Sequence, residues 1–118
     1  MLHYATELST LLQYGKMRAH IEEVNILLIY VQPKIYAIAD QCPHEGVSLY
    51  DHGKMDATCI TCKAHHAKID ITTGEIINQA HILFVKMKTP RAQVYSVVVN
   101  DQKVFVNLPT KKEVKANE

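Results

Sequence analysis

A chain of 118 residues is the length of one domain, enough to bury somewhat more than ~60% of its unfolded surface in a single core. Its 13 basic and 12 acidic residues leave a formal net charge of +1 and are spread along the chain, which excludes the electrostatic footprint of a nucleic-acid-binding protein. Three cysteines offer no disulfide framework, and no stretch approaches the ~20 apolar residues of a membrane span, so a soluble cytoplasmic protein is expected, with no membrane partner.

In chain order, Met1 to Glu7 shows neither a basic start before an apolar run nor a twin arginine, as an export signal would. Ser9-Thr10-Leu11-Leu12-Gln13-Tyr14 reads as one or two turns of helix, with Ser9 or Thr10 as the cap and Gly15 as the stop. From Lys16 the period becomes two: Met17, Ala19 and Ile21 alternate with Arg18, His20 and Glu22, the pattern of a half-buried strand. Asn25 to Val31 and Ile35 to Asp40 are apolar runs separated by Gln32-Pro33-Lys34. The proline suits the first corner of a turn, which predicts a hairpin.

The densest chemistry follows. Cys42-Pro43-His44 and Cys62-Lys63-Ala64-His65 together supply two thiolates and two imidazoles, a complete four-ligand metal set. Within each pair the spacing is too short for both side chains to share one face of a regular element, so each pair belongs on a curved loop. The second sits at a hairpin tip between strand-like segments Met55 to Thr61 and Ala67 to Ile71. After a turn at Thr73-Gly74 come strands over His81 to Lys88, Ala92 to Asn100 and Val104 to Leu108, with Asn100-Asp101 turning the last two. The charged tail from Thr110 to Glu118 reads as a frayed, solvated end. The chain is therefore antiparallel and all-β. Its base is built from residues 1–39 and 84–118, and a lobe bearing the two pairs, 40–83, is inserted into it.

Other candidates near the pairs have plainer readings. Cys59 and Cys62 make a C-x-x-C that could suggest a redox dithiol, but on a strand positions three apart point to opposite faces. Cys59 is expected as a buried thiol facing away from the site. His52, His66 and His81 could compete as ligands, with His66 read as a surface residue. Tyr36, Tyr50, Phe84, Tyr95 and Phe105 lie in strand-like apolar surroundings and are expected in the core.

The two pairs and their flanks resemble the Rieske-type [2Fe–2S] proteins, in particular the soluble, low-potential Rieske ferredoxins. Ile35-Tyr36-Ala37-Ile38 leads into the first pair, Gly46 and Gly53 follow it, and Ile69-Asp70-Ile71-Thr72-Thr73-Gly74 follows the second. The resemblance covers roughly residues 5 to 109. It implies an antiparallel β-sandwich base with an inserted cluster-binding lobe, all within a single Rieske-type domain. It implies one [2Fe–2S] cluster, with Cys42 and Cys62 on one iron and His44 and His65 on the other. By preserving C-x-x-H it favours His65 over His66.

The sequence also departs from the family's common pattern. The second loop usually reads Cys-Pro-x-His-Gly, where this chain has Cys62-Lys63-Ala64-His65-His66, and Asn78-Gln79-Ala80-His81 stands where a proline-containing loop often covers the cluster. Rieske proteins of respiratory complexes carry an extra disulfide between the loops, together with a serine and a tyrosine that donate hydrogen bonds to cluster sulfurs. Here those places hold Val47, Ala64, Ala67 and Ile69.

A cluster ligated at all four protein positions has no open coordination site, so it suits the passing of one electron better than the binding of substrate. The resemblance implies a carrier, not an enzyme, taking electrons from an NAD(P)H-dependent flavin reductase and delivering them to a terminal oxygenase. Oxygenases with this lobe join it to a much larger domain, for which 118 residues leave no room. Two alternatives stay open at this point: a small Rieske subunit of an assembled reductase such as nitrite reductase, and a Cys2His2 zinc-binding interaction module.

Overall fold

The structure is a computed structural model. It describes residues 1–31, 33–43, 47–64, 66–82, 85–87 and 89–108, with 80–82 and 85–87 described by their backbone. Expectations for His44, His65, Gly46, Phe84, Lys88 and the tail lie outside the described residues.

The fold is organised around β3 (Val24–Val31), which pairs antiparallel with β2 (Lys16–Ile21) on one side and β4 (Lys34–Ala39) on the other. Between β2 and β3, Glu22 and Glu23 take left-handed backbone, with φ of 51° and 67°. Two such residues in succession give the turn whose twist matches right-twisted strands. β1 (Leu2–Glu7), β11 (Val94–Asn100) and β12 (Lys103–Asn107) complete a six-stranded sheet in the order β1-β12-β11-β4-β3-β2. Its edge strands β1 and β2 approach each other, so the sheet is nearly closed. The helix α1 (Leu8–Tyr14) joins them and inserts Leu11 into the enclosed core.

A second antiparallel sheet runs β5 (Gly53–Asp56), β6 (Cys59–Cys62), β7 (Lys68–Asp70) and β8 (Ile76–Asn78) in that order, preceded by the short helix α2 (Leu49–His52). β9 (Ala80–Ile82) and β10 (Val85–Met87) pair as a separate hairpin.

The run Ile26-Leu27-Leu28-Ile29 explains how the two sheets meet. All four side chains are buried, but successive strand residues face opposite ways. Ile26 and Leu28 join Leu11, Val104 and Val106 in the core inside the six-stranded sheet. Leu27 and Ile29 face out, with Ile38 of β4, into a second core shared with Ile60 and Ile69 of the smaller sheet and Ile71 just after β7. A strand covered on both faces reads as a continuous apolar run. Each of these side chains is worth roughly 1.5–3 kcal/mol when fully buried, so β3 and β4 are the floor to which the smaller sheet is fixed.

Several local expectations are corrected. Gly15 does stop α1, in left-handed backbone (φ 79°) with its N–H donating to Leu11 O, but the N-cap is Glu7 without a side-chain bond, not Ser9 or Thr10. Val31 pairs with Lys34, so Pro33 stands second in its turn, not first. Residues 55–61 are not one strand: Ala57, at φ 54°, turns the chain and Asp56 pairs with Cys59. The segment from 81 to 88 is likewise divided, with Val85 paired to Ile82. The last turn falls on Asp101 and Gln102, both left-handed, because Asn100 still pairs with Lys103. In each case pairing to a neighbouring strand decided the break. Tyr36, Tyr50 and Tyr95 pack partly buried against the cores as expected. Phe105 instead lies opposite the buried Val104 and Val106, edge-on to Tyr4 with ring centroids 6.1 Å apart.

Candidate metal centre

Cys42 follows β4 and is 2% exposed; Cys62 ends β6 and is fully buried. The two cysteines use the same local device. Cys42 N–H donates to Val47 O at 2.7 Å, and Cys62 N–H donates to Ala67 O at 2.9 Å. In both, a backbone bond to the carbonyl five residues on closes the loop that carries the pair, with the cysteine at its entrance. The loops are also tied to one another, since Lys63 N–H in the second donates 2.8 Å to His52 O at the end of α2, just after the first.

Both cysteines belong to the outer core of Leu27, Ile38, Leu49, Ile60 and Ile69, and no disulfide joins them. A thiolate in apolar surroundings is costly unless a cation compensates it. Two cysteines at the mouths of matched loops are placed to serve as thiolate ligands whose charge a metal would compensate. His44 and His65, the other half of the expected ligand set, lie outside the described residues. Among the described residues no three His, Cys, Asp or Glu side chains come together to hold a metal.

The neighbouring candidates separate cleanly. On β6 the side chains of Ile60 and Cys62 are buried while those of Cys59 and Thr61 are half-exposed, so Cys59 faces away from Cys62 as expected. It is half-buried rather than buried. His52 and His66 are both exposed. His66 also adopts left-handed backbone, φ 64°, and donates its N–H to Cys62 O at 2.8 Å. This is the place where the common family pattern has glycine, and the backbone geometry accounts for that glycine. His66→Gly is therefore expected to raise stability by up to about 1 kcal/mol, the left-handed strain relieved less the entropy glycine loses on folding. A thermal melt showing destabilisation would contradict it.

The positions where respiratory Rieske proteins carry the extra disulfide or the hydroxyls that donate to sulfur hold only hydrocarbon side chains. Ala67 and Ile69 are fully buried, Val47 packs against the same core, and Ala64 is exposed. Asn78 and Gln79 are exposed, with Gln79 Oε1 accepting Thr89 N–H at 2.6 Å. Beside the second loop an open depression of about 520 Å³ is lined by Lys54, Asp56, Lys63 and His66. The sequence reading missed Arg18, Asp40 and Ser48, which meet next to the first loop. Arg18 carried only the signal of a strand's solvent face.

Residues 3–87 match the Rieske [2Fe-2S] domain family. The chain belongs to that family. A Rieske domain binds one [2Fe–2S] cluster, and the nearly closed sheet with its second, smaller sheet is the Rieske ferredoxin fold. No curated protein sequence matches the chain. Among solved structures, it is similar to the terminal oxygenase of carbazole 1,9a-dioxygenase from Nocardioides aromaticivorans IC177, at 23% identity and TM-score 0.79, over 93% of this chain and 30% of that one. It is similar to the ferredoxin of the same system from the same organism, at 20% identity and TM-score 0.72, over 90% of this chain and 96% of that one. A chain in a complex of reduced oxygenase and oxidized ferredoxin of carbazole 1,9a-dioxygenase matches at 22% identity and TM-score 0.73, over 89% of this chain and 91% of that one. The Rieske chain described here thus spans less than a third of the oxygenase and nearly the whole ferredoxin. Among its described residues, no helix is long and apolar enough to cross a membrane.

Proposed function

We propose that this Rieske protein is a one-electron carrier of the ferredoxin type, in which Cys42 and Cys62 hold one iron of the cluster and His44 and His65 the other. The observation that carries the reading is the matched pair of loops, each closed by its cysteine's own N–H and each sinking that cysteine into one apolar core. When bound, the cluster supplies a centre that takes up and gives back one electron. The protein's residues hold the ligands still and keep water away. Ile60, Ala67 and Ile69 pack the inner side with no side-chain polar atom, and the backbone bonds at Val47 and Ala67 fix the loop mouths. On this reading residues 40–83 form the cluster lobe and residues 1–39 and 84–118 the base.

The partners follow from the same reading: an NAD(P)H-dependent flavin reductase as donor and a terminal oxygenase as acceptor, with the protein not itself an enzyme. The near-complete overlap with a ferredoxin chain supports a carrier, and complexes of ferredoxin with oxygenase are known for the carbazole system. An acceptor would dock at the loop tips, where the depression lined by Lys63 and His66 gives it a footing. Redox encounters of this kind use small interfaces, below ~1,200 Å². Stopped-flow mixing of the reduced protein with an oxidised terminal oxygenase should show one electron delivered per chain. Freshly purified protein with stoichiometric zinc and no labile sulfide would end the proposal.

The midpoint potential is expected in the lower part of the Rieske range of about −150 to +300 mV. The side chains of Ala67 and Ile69 have no donor to stabilise the added negative charge of the reduced state, and hydrogen bonds to the sulfurs are a main control of potential. Ala67→Ser should raise it. A parent midpoint near the upper end at neutral pH would refute this account.

A further inference from the structure

The first ligand loop is bracketed by two polar residues, Asp40 before Cys42 and Ser48 after Val47, and the structure bonds them to each other. Ser48 Oγ donates to Asp40 Oδ2 at 2.9 Å, and Arg18 Nε, from β2, donates to the same oxygen at 2.7 Å. Asp40 Oδ1 accepts the Tyr50 N–H at 2.7 Å. The Asp40 side chain is 2% exposed, so a carboxylate is buried with its acceptor sites met from three directions. The other arm of Arg18, Nη2, donates to Ser48 Oγ and to Asp51 Oδ2, each at 2.8 Å. Its guanidinium also lies 5.0 Å from the centre of the Tyr50 ring. Chiefly through the hydrogen bond to Asp51, the guanidinium is held above its ordinary range and stays charged. Lys16, two residues earlier on β2, donates from Nζ to Tyr50 O at 3.0 Å.

We propose that Arg18 and Asp40 are positioning residues that clasp the first ligand loop to the six-stranded sheet and thereby govern how firmly the cluster is retained. The inference rests on the cluster reading above. The clasp sits directly outside the Cys42 N–H to Val47 O bond, so the loop is closed twice, by backbone within and by ions without. Only the Asp40 half of the pair is buried, the Arg18 side chain being 39% exposed; such a pair seldom adds net stability over an apolar one, whereas removing the partner of a buried carboxylate is costly. Its use here is geometric. Arg18 is suited to it because the planar fork reaches two acceptors in fixed directions, which a lysine ammonium does not.

The test uses the iron-loaded protein, following bleaching by a chelator and the EPR spectrum of the reduced state, which reads ligand geometry. Arg18→Ala should speed cluster loss about tenfold or more, the effect of leaving a charge-assisted hydrogen bond unmade, and should alter the EPR line shape. Asp40→Asn should do the same, because whichever way the amide turns, a donor meets a donor. The double variant should lose the cluster less fast than the product of the two single effects, as for residues acting as a unit. Arg18→Lys keeps a charge beside Asp40, so it serves should Arg18→Ala fail to fold, and it should fall between parent and alanine. Val106→Ala, in the separate inner core, lowers global stability away from the loop and should leave rate and spectrum close to the parent's. Equal acceleration by Val106→Ala, or Arg18→Ala within twofold of the parent, would overturn the clasp, as would Arg18→Lys no faster than the parent where the alanine variant does not fold. A parent lacking iron and labile sulfide would overturn the cluster reading instead.

Discussion

Cys42→Ser and Cys62→Ser are each expected to give colourless protein with no cluster iron, where the parent contains about two irons and two acid-labile sulfides per chain. The size of the effect comes from where the thiols sit. Cys42 and Cys62 are at most 2% exposed and lie in one apolar core, so nothing from solvent can replace a lost sulfur ligand. A serine hydroxyl there is a poor ligand and is also a buried polar group to be satisfied, which costs about 1–3 kcal/mol when it is not. Because binding free energy at a structural metal site is also folding free energy, the variants should unfold at lower temperature as well. Cys59→Ser is the control. It lies on the same strand three residues earlier, half-exposed on the opposite face, and should keep the parent's visible spectrum and iron content. Retained colour in Cys62→Ser, or lost colour in Cys59→Ser, would mean that the ligands are assigned wrongly.

Gly74→Ala is expected to destabilise the fold by about 2–5 kcal/mol, the sum of left-handed strain and of forcing apart a packed contact. Gly74 has φ 83°, and a Cβ there would fall inside van der Waals contact of the Ala92 carbonyl oxygen, a backbone atom that cannot rotate away. The close approach is built from both sides. Gly74 N–H donates to Asp70 O at 2.7 Å, and Gly74 O accepts the Ala92 N–H at 2.9 Å. Arg91 donates from Nε and Nη2 to Thr73 O at 3.0 and 2.6 Å. This is where the turn after β7 is pinned to the chain entering β11, so an added methyl group must open the seam or shift the turn. Gly15→Ala separates the two causes. Its φ is 79° but nothing lies within 4 Å of the added carbon, so about 1 kcal/mol of backbone strain is expected there and no more. Denaturant midpoints of both variants check the pair; a Gly74→Ala loss no larger than that of Gly15→Ala would show that the close approach relaxes freely.

The part of this protein legible in the sequence is the part governed by short-range chemistry. The ligand pairs are recognisable because chelation needs donors a few residues apart. Gly15 and Gly74 mark chain reversals because few other residues tolerate positive φ, and the alternation from Met17 to Ile21 marks β2 because strand side chains alternate. Tertiary structure decided the rest. β1 is a strand because Leu2 to Glu7 pairs with β12, some hundred residues away. The segment from 55 to 61 breaks at Ala57 because Asp56 pairs with Cys59. Ile26 and Leu27, adjacent and equally apolar, serve different cores because sheets cover both faces of β3. Arg18 reads as a strand's solvent-facing cation and Asp40 as the last residue of an apolar run until strand pairing sets them 2.7 Å apart. Donor spacing and backbone strain act over a few residues and are written locally, whereas burial, register and ion pairing depend on which distant segment arrives alongside.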